Sequence, residues 1–105
     1  MMLFSLAFSQ QTGKASYYSD KHHGRKAADG STFNMYAMTC ASNTYKFGTK
    51  LRVTNKENGK SVVVKVTDRG GFSKLGRVID LSKGAFTKIA SLKRGIITVI
   101  IEEVK

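Results

Sequence analysis

Polar and apolar positions alternate along most of this chain, which is the period of a pleated strand and not of a helix. Lys14-Ala15-Ser16-Tyr17-Tyr18 alternates near the start, and Leu51 and Val53 share one face of Leu51-Arg52-Val53-Thr54-Asn55. Lys56-Glu57-Asn58-Gly59 then turns the chain into Ser61-Val62-Val63-Val64-Lys65-Val66-Thr67-Asp68, so the two segments are expected to form a hairpin. The density of β-branched valines marks the second segment as a buried strand. A short strand is predicted at Arg77-Val78-Ile79-Asp80-Leu81. Ser82 then reads as the N-cap of a helix that carries Ala85, Phe86 and Ile89 on one face and ends near Ala90. Gly95 opens a last apolar run, Ile96-Ile97-Thr98-Val99-Ile100-Ile101, continuing to Val104, whose composition predicts a strand buried on both faces. Between Asp20 and Asn34 no period survives, and Gly24, Asp29, Gly30 and Ser31 predict an irregular loop able to border a groove. The fold class expected is mainly β with one short helix.

The valine strand ends abruptly on Asp68, followed by Arg69-Gly70-Gly71-Phe72. The glycine pair reads as a tight bend, which sets Asp68 at the rim of a rigid sheet. A carboxylate in that place, half withdrawn from water by apolar neighbours, is a candidate proton donor. Asp before Arg-Gly-Gly is equally an ordinary turn former whose side chain caps its own loop.

Length and charge narrow the classes. The 105 residues fit one domain that buries roughly 65% of its unfolded surface, enough for a single core. Eighteen Lys and Arg against seven Asp and Glu give a net charge of +11, which attracts polyanions. The basic residues are scattered from Lys14 to Lys105 without a block, and no base-reading module accompanies them, so a solvated basic surface is read and nucleic acid is not expected as a partner. The single Cys40, in Met38-Thr39-Cys40-Ala41, reads as a small buried thiol, permits no internal disulfide and rules out a metal cluster of cysteines. His22 and His23 are adjacent and no third ligand is spaced to join them, so neither a metal nor another cofactor is expected. They read as loop residues, one of them a candidate substrate contact.

Met1-Met2-Leu3-Phe4-Ser5-Leu6-Ala7-Phe8-Ser9-Gln10 is apolar and leads to the polar pair Gln11-Thr12. Residues 1–12 read as a truncated export signal without its basic start, the domain proper as 13–105, and the alternative is a first core strand. The stretch is too short to span a bilayer. With no cysteine after it, a lipid anchor there is not expected. An exported monomer, periplasmic or extracellular, is the resulting expectation.

Several blocks now line up. Gly13-Lys14-Ala15-Ser16-Tyr17-Tyr18, His23-Gly24-Arg25-Lys26, Ala28-Asp29-Gly30, Phe33-Asn34-Met35, Phe47-Gly48-Thr49, Val53-Thr54-Asn55, Asn58-Gly59-Lys60-Ser61-Val62-Val63-Val64, Asp68-Arg69-Gly70 and Ile79-Asp80-Leu81-Ser82 closely resemble the rare lipoprotein A domain. The succession covers residues 13 to 105. The resemblance implies a six-stranded double-psi β-barrel, the fold of expansins and some endoglucanases, acting on bacterial cell-wall glycan. It further implies a lytic transglycosylase that cuts naked peptidoglycan strands between N-acetylmuramic acid and N-acetylglucosamine and leaves 1,6-anhydro ends. In that chemistry the muramic 6-hydroxyl is the nucleophile, so a single group can serve as acid and then as base.

Asp68 matches the family's catalytic aspartate. Tyr17, Tyr18, His23, Arg69 and Asp80 fall in or beside the matching blocks as candidate substrate contacts, although strand parity turns Arg69 away from Asp68 and lets only one of the two tyrosines face sugar. The departures are specific. Ser31 stands where the family carries a Glu, Ser42 where it carries a His, and Gly71 where it carries a proline. Both serines are expected in the groove, where a hydroxyl hydrogen-bonds a sugar but does not titrate near neutral pH. The alternative function is a non-catalytic, expansin-like glycan-binding module in which a tyrosine stacks on sugar, Asp68 accepts a hydrogen bond and the basic surface draws in wall polymer.

Overall fold

The computed structural model describes residues 10–105. Six strands and one α-helix are found there: β1 (Gln10–Tyr17), β2 (Thr39–Ser42), β3 (Lys50–Asn55), β4 (Ser61–Asp68), β5 (Arg77–Leu81), α1 (Lys83–Ile89) and β6 (Ile97–Glu103). The strands close into a barrel in the order β1-β5-β2-β4-β3-β6. β1 runs parallel to β5 and β2 parallel to β4, and the other four pairings are antiparallel. Exchanging β1 with β4, β2 with β5 and β3 with β6 leaves every pairing in place, so the barrel has an internal twofold pattern.

The expected hairpin is β3–β4, with Val53 opposite Val62 and Gly59 at φ 78° in the turn. Positive φ is open to glycine without a Cβ clash, which is why the turn carries one there. Ser82 caps α1, its Oγ accepting from Ala85 N at 3.1 Å, and the helix buries Ala85, Phe86 and Ile89 completely. Burying Phe86 alone removes enough apolar surface to contribute about 1.5–3 kcal/mol. These side chains join Leu51, Val53, Val64, Val66, Ile79, Leu81, Ile97, Val99 and Ile101 in one core.

Three expectations need correction. β2 lacks a readable period because it is only four residues long, and no strand was predicted for it from the residues themselves. β6 alternates: Ile97, Val99 and Ile101 point into the core while Thr98 and Ile100 are half-buried on the other face, and Ile96 is 51% exposed before the strand begins. The valines of β4 divide likewise, Val64 and Val66 inward and Val63 outward at 41% exposure. A closed barrel has one packed interior, so β-branched density here reflects strand propensity and not two buried faces.

β1 begins at Gln10, pairing with Glu102 of β6, three residues ahead of the expected domain start at Gly13. The leader expected over 1–12 otherwise falls on residues 1–9, outside the described residues. Among the described residues no helix is long and apolar enough to cross a membrane.

Candidate active site

The parallel pairs bring the ends of β1 and β4 alongside β5 and β2, and the register lays four residues in one row: Ser16, Asp80, Ala41 and Asp68. Neighbouring strands lie about 4.8 Å apart, so the two aspartates are set roughly 10 Å apart at the backbone with only the methyl group of Ala41 between them. That small residue leaves the space open. A cavity of about 470 Å³ lies over it, lined by Tyr18, His22, Ala41, Asp68, Arg69, Gly70, Gly71, Phe72, Leu75, Arg77 and Asp80. Beneath it a second apolar cluster of Tyr18, Phe33, Ala41 and Phe72 holds the rim.

Asp68 ends β4 half-buried and accepts on both oxygens. Oδ2 takes the Tyr18 hydroxyl at 2.7 Å, and Oδ1 takes the backbone N–H of Ala28 and of Arg69, each at 2.9 Å. Asp68 lines the groove, and it ties down its own bend together with the irregular loop over 20–34, as expected of a turn former. Asp29 N, bonded to Thr67 O at 3.1 Å, continues that seam.

Tyr18 is held by its ring as well as its hydroxyl. It stacks on Phe33 with centroids 4.4 Å apart and meets His22 edge-on. Burial, then the Asp68 hydrogen bond, pushes its phenol well above the usual range, so it stays a proton-bearing donor.

Asp80 has the opposite environment. Burial raises its carboxyl above the ordinary value, while the Ser16 hydroxyl, Arg77 and His22 pull the other way. Ser16 Oγ donates to Asp80 Oδ1 at 2.7 Å and accepts from Arg77 Nη1 at 2.7 Å, so a serine stands between the guanidinium and the carboxyl. Arg69 also reaches the rim, its Nη1 donating to Ser42 O at 2.7 Å and its guanidinium lying 4.1 Å over the Phe47 ring. The Cys40 thiol is buried and pushed up to about 12 by that burial.

The structure brings Asp68, Tyr18, Arg69 and Asp80 together, and separates them from four other candidates. Tyr17 turns inward, its ring on Phe86 and its hydroxyl donating to Leu92 O. Ser42 is 1% exposed, its Oγ accepting from the backbone N–H of Thr44 and Tyr45. Ser31 faces solvent on the loop, bonded to Asp29. His23 holds the chain at Met35, Nδ1 accepting from its N–H at 3.1 Å. None of the four is among the residues lining the cavity. Each serine is consumed by a local turn, the commonest competing use of a hydroxyl.

Phe72, Leu75 and Arg77 line the cavity without having been singled out, and of the two adjacent histidines it is His22 that lines it. Nothing in the local pattern marks Arg77, which acquires its place only when β5 pairs with β1. Among the described residues no three His, Cys, Asp or Glu side chains converge as metal ligands.

A closed six-stranded barrel with two parallel pairs and a groove at the ends of β1 and β4 is a double-psi β-barrel. Among solved structures the chain is similar to a Streptomyces papain inhibitor, with TM-score 0.73 and 27% identity over 92% of this chain and 96% of that one. It is also similar to an expansin from Clavibacter michiganensis, with TM-score 0.69 and 27% identity over 92% of this chain and 51% of that one. The profile of the lytic transglycolase family matches residues 10–101, and the chain belongs to that family. It is 45% identical over 94 residues to the endolytic peptidoglycan transglycosylase RlpA of Neisseria meningitidis serogroup A, covering 90% of this chain and 39% of that protein. Against the protein of the same name from Vibrio cholerae it is 46% identical over 92 residues, covering 88% of this chain and 35% of that protein. The chain thus spans well under half the length of these relatives.

Proposed function

We propose that this domain is a lytic transglycosylase acting on the glycan strands of peptidoglycan, and therefore working outside the cytoplasm where that polymer lies. One observation supports this above all: two carboxyl groups face a single sugar-sized cavity from opposite sides of Ala41 in unlike surroundings. Unlike surroundings divide acid from base. Asp80, whose carboxyl burial favours the proton, is the donor to the oxygen linking muramic acid to glucosamine. As that bond breaks, positive charge grows on the ring carbon and oxygen, and Asp68 stabilises it from across the groove. The muramic 6-hydroxyl then attacks the anomeric carbon and its proton passes to Asp68, closing a 1,6-anhydro ring. No external water enters. The reading thus assigns to Asp80 the donor's part that the family resemblance gives to Asp68 alone, because burial favours the proton on Asp80 while both oxygens of Asp68 are already engaged as acceptors.

The second reading, an expansin-like binding module, draws on the similarity to the Clavibacter expansin and on the placement of Ser31 and Ser42 outside the groove. Mass spectrometry of products from denuded glycan strands separates the two. Anhydromuramic ends from the wild-type domain, lost on Asp68→Asn, support the enzyme. Salt-sensitive retention on sacculi without any anhydro product supports the binder.

A further inference from the structure

We propose that Arg77 is the specificity-determining residue behind the preference for naked glycan that the family resemblance implies, pairing with the free lactyl carboxylate of muramic acid. The inference rests on the peptidoglycan reading and deepens it.

Two guanidinium groups line the cavity, and their circumstances differ. Arg69 is committed to the protein: one nitrogen bonds Ser42 O and its own neighbour's carbonyl, and its face covers Phe47. Arg77 makes one side-chain hydrogen bond, from Nη1 to Ser16 Oγ. A guanidinium carries five N–H donors in a fixed fork, so most of that fork is unused by the described residues. The ion pairs formed among them are Lys83–Asp20 and Arg94–Glu57, neither of which lies in the groove. A half-buried guanidinium that bonds no carboxylate directly, Asp80 lying beyond Ser16, and that stands at the edge of a sugar-sized cavity can take a ligand that brings one.

The sugar chemistry then selects the ligand. N-acetylglucosamine is neutral. Muramic acid bears a lactyl ether on its third carbon, and the acid of that ether is free only where no peptide has been joined to it as an amide. Position agrees with this assignment. Arg77 Nη1 lies no farther from Asp80 Oδ1 than two hydrogen bonds laid end to end through Ser16 Oγ, which is about the width of one pyranose ring. With the Asp80 carboxyl at the oxygen on the anomeric carbon, the separation puts the substituent on the third within reach of the guanidinium.

The experiment compares two substrates on the intact chain: denuded glycan strands, and the same strands after carbodiimide coupling to methylamine, which turns each lactyl acid into a neutral amide. For the wild type, kcat/KM is expected to be at least about tenfold higher on the acid form, the scale of one charge-assisted pair. Arg77→Gln brings the ratio of the two substrates to about one, and Arg77→Lys restores part of it. Equal use of both glycans by the wild type, or discrimination that survives Arg77→Gln, overturns the proposal while leaving the transglycosylase reading intact. Absence of anhydro product from either glycan overturns that reading instead. In that event, sedimentation of the wild-type protein with each glycan decides the role of Arg77, since tighter binding of the acid form supports it and equal binding rejects it.

Discussion

The Tyr18 hydroxyl donates to Oδ2 of Asp68 at 2.7 Å although the two residues lie fifty positions apart. The contact joins the end of β1 to the end of β4, the two strands that the barrel's internal pattern exchanges, and it fixes the rotamer of the carboxylate that faces the groove. Phe33 stacked on the same ring keeps the phenol from swinging away.

Tyr18→Phe removes this donor and keeps the stack. The melting temperature should move by only a few degrees, since Asp68 regains water in an open groove. Turnover on denuded glycan should fall roughly tenfold to a hundredfold, the scale of one hydrogen bond to a charged group. Unchanged turnover would show that the phenol does not position Asp68.

Asp80 is raised above its ordinary carboxyl value of 3.8 by burial, so the folded protein binds that proton more tightly than the unfolded chain does. Stability from this group is present at low pH and declines as pH climbs from that value through the folded one. Asp80→Asn keeps an oxygen for Ser16 to donate to and removes the titration. Chemical denaturation across pH 3.5 to 7, about the range over which carboxyl groups titrate, should show a decline in the wild type that the variant lacks. In the same variant turnover should drop on the order of a hundredfold to ten-thousandfold, the contribution of a general acid.

Ser42→Ala should cost about 1–3 kcal/mol by leaving the N–H groups of Thr44 and Tyr45 without their acceptor. Ser42→His, which restores the family's residue type, should destabilise further because the ring has no room at a site 1% exposed. A gain in turnover from that substitution would contradict the placement of Ser42 described above.

Much of the architecture was legible because it is local. The β3–β4 hairpin, the Ser82 cap and the rim position of Asp68 each depend on residues within a few positions of one another. Parity also divided Tyr17 from Tyr18 in advance, without saying which turned inward. What could not be read depends on distant pairings. Thr39–Ser42 becomes a strand only because β4 and β5 flank it, and Asp80 is buried by β1 and β2. The local bonding of Ser42 was hidden for a different reason: a residue's alignment with a functional position says nothing of the backbone N–H groups nearby, and here those of Thr44 and Tyr45 bond its hydroxyl.

Gly84 opens the second turn-forming position of α1 against the loop before β2. A Cβ there would stand 2.8 Å from the carbonyl oxygen of Tyr36, which is backbone and has little freedom to retreat. Gly84→Ala gains about 1 kcal/mol of helix propensity and should nonetheless destabilise the domain. A higher melting temperature for the variant would show that the loop yields.

The strand order carries a consequence for how the molecule is made. β1 lies first in the chain, yet both of its neighbours, β5 and β6, come from the last third. The hairpin β3–β4 can assemble as soon as it exists, but β1 and β3 both wait for Ile97–Glu103 before the wall closes. Such long loop closures are paid in entropy before any contact rewards them, so the domain should fold late, slowly and all at once after synthesis. A wall that cannot shut until Ile97–Glu103 arrives leaves one edge of β1 and one of β3 unpaired until then, the interval in which the domain is most open to joining a wrong strand.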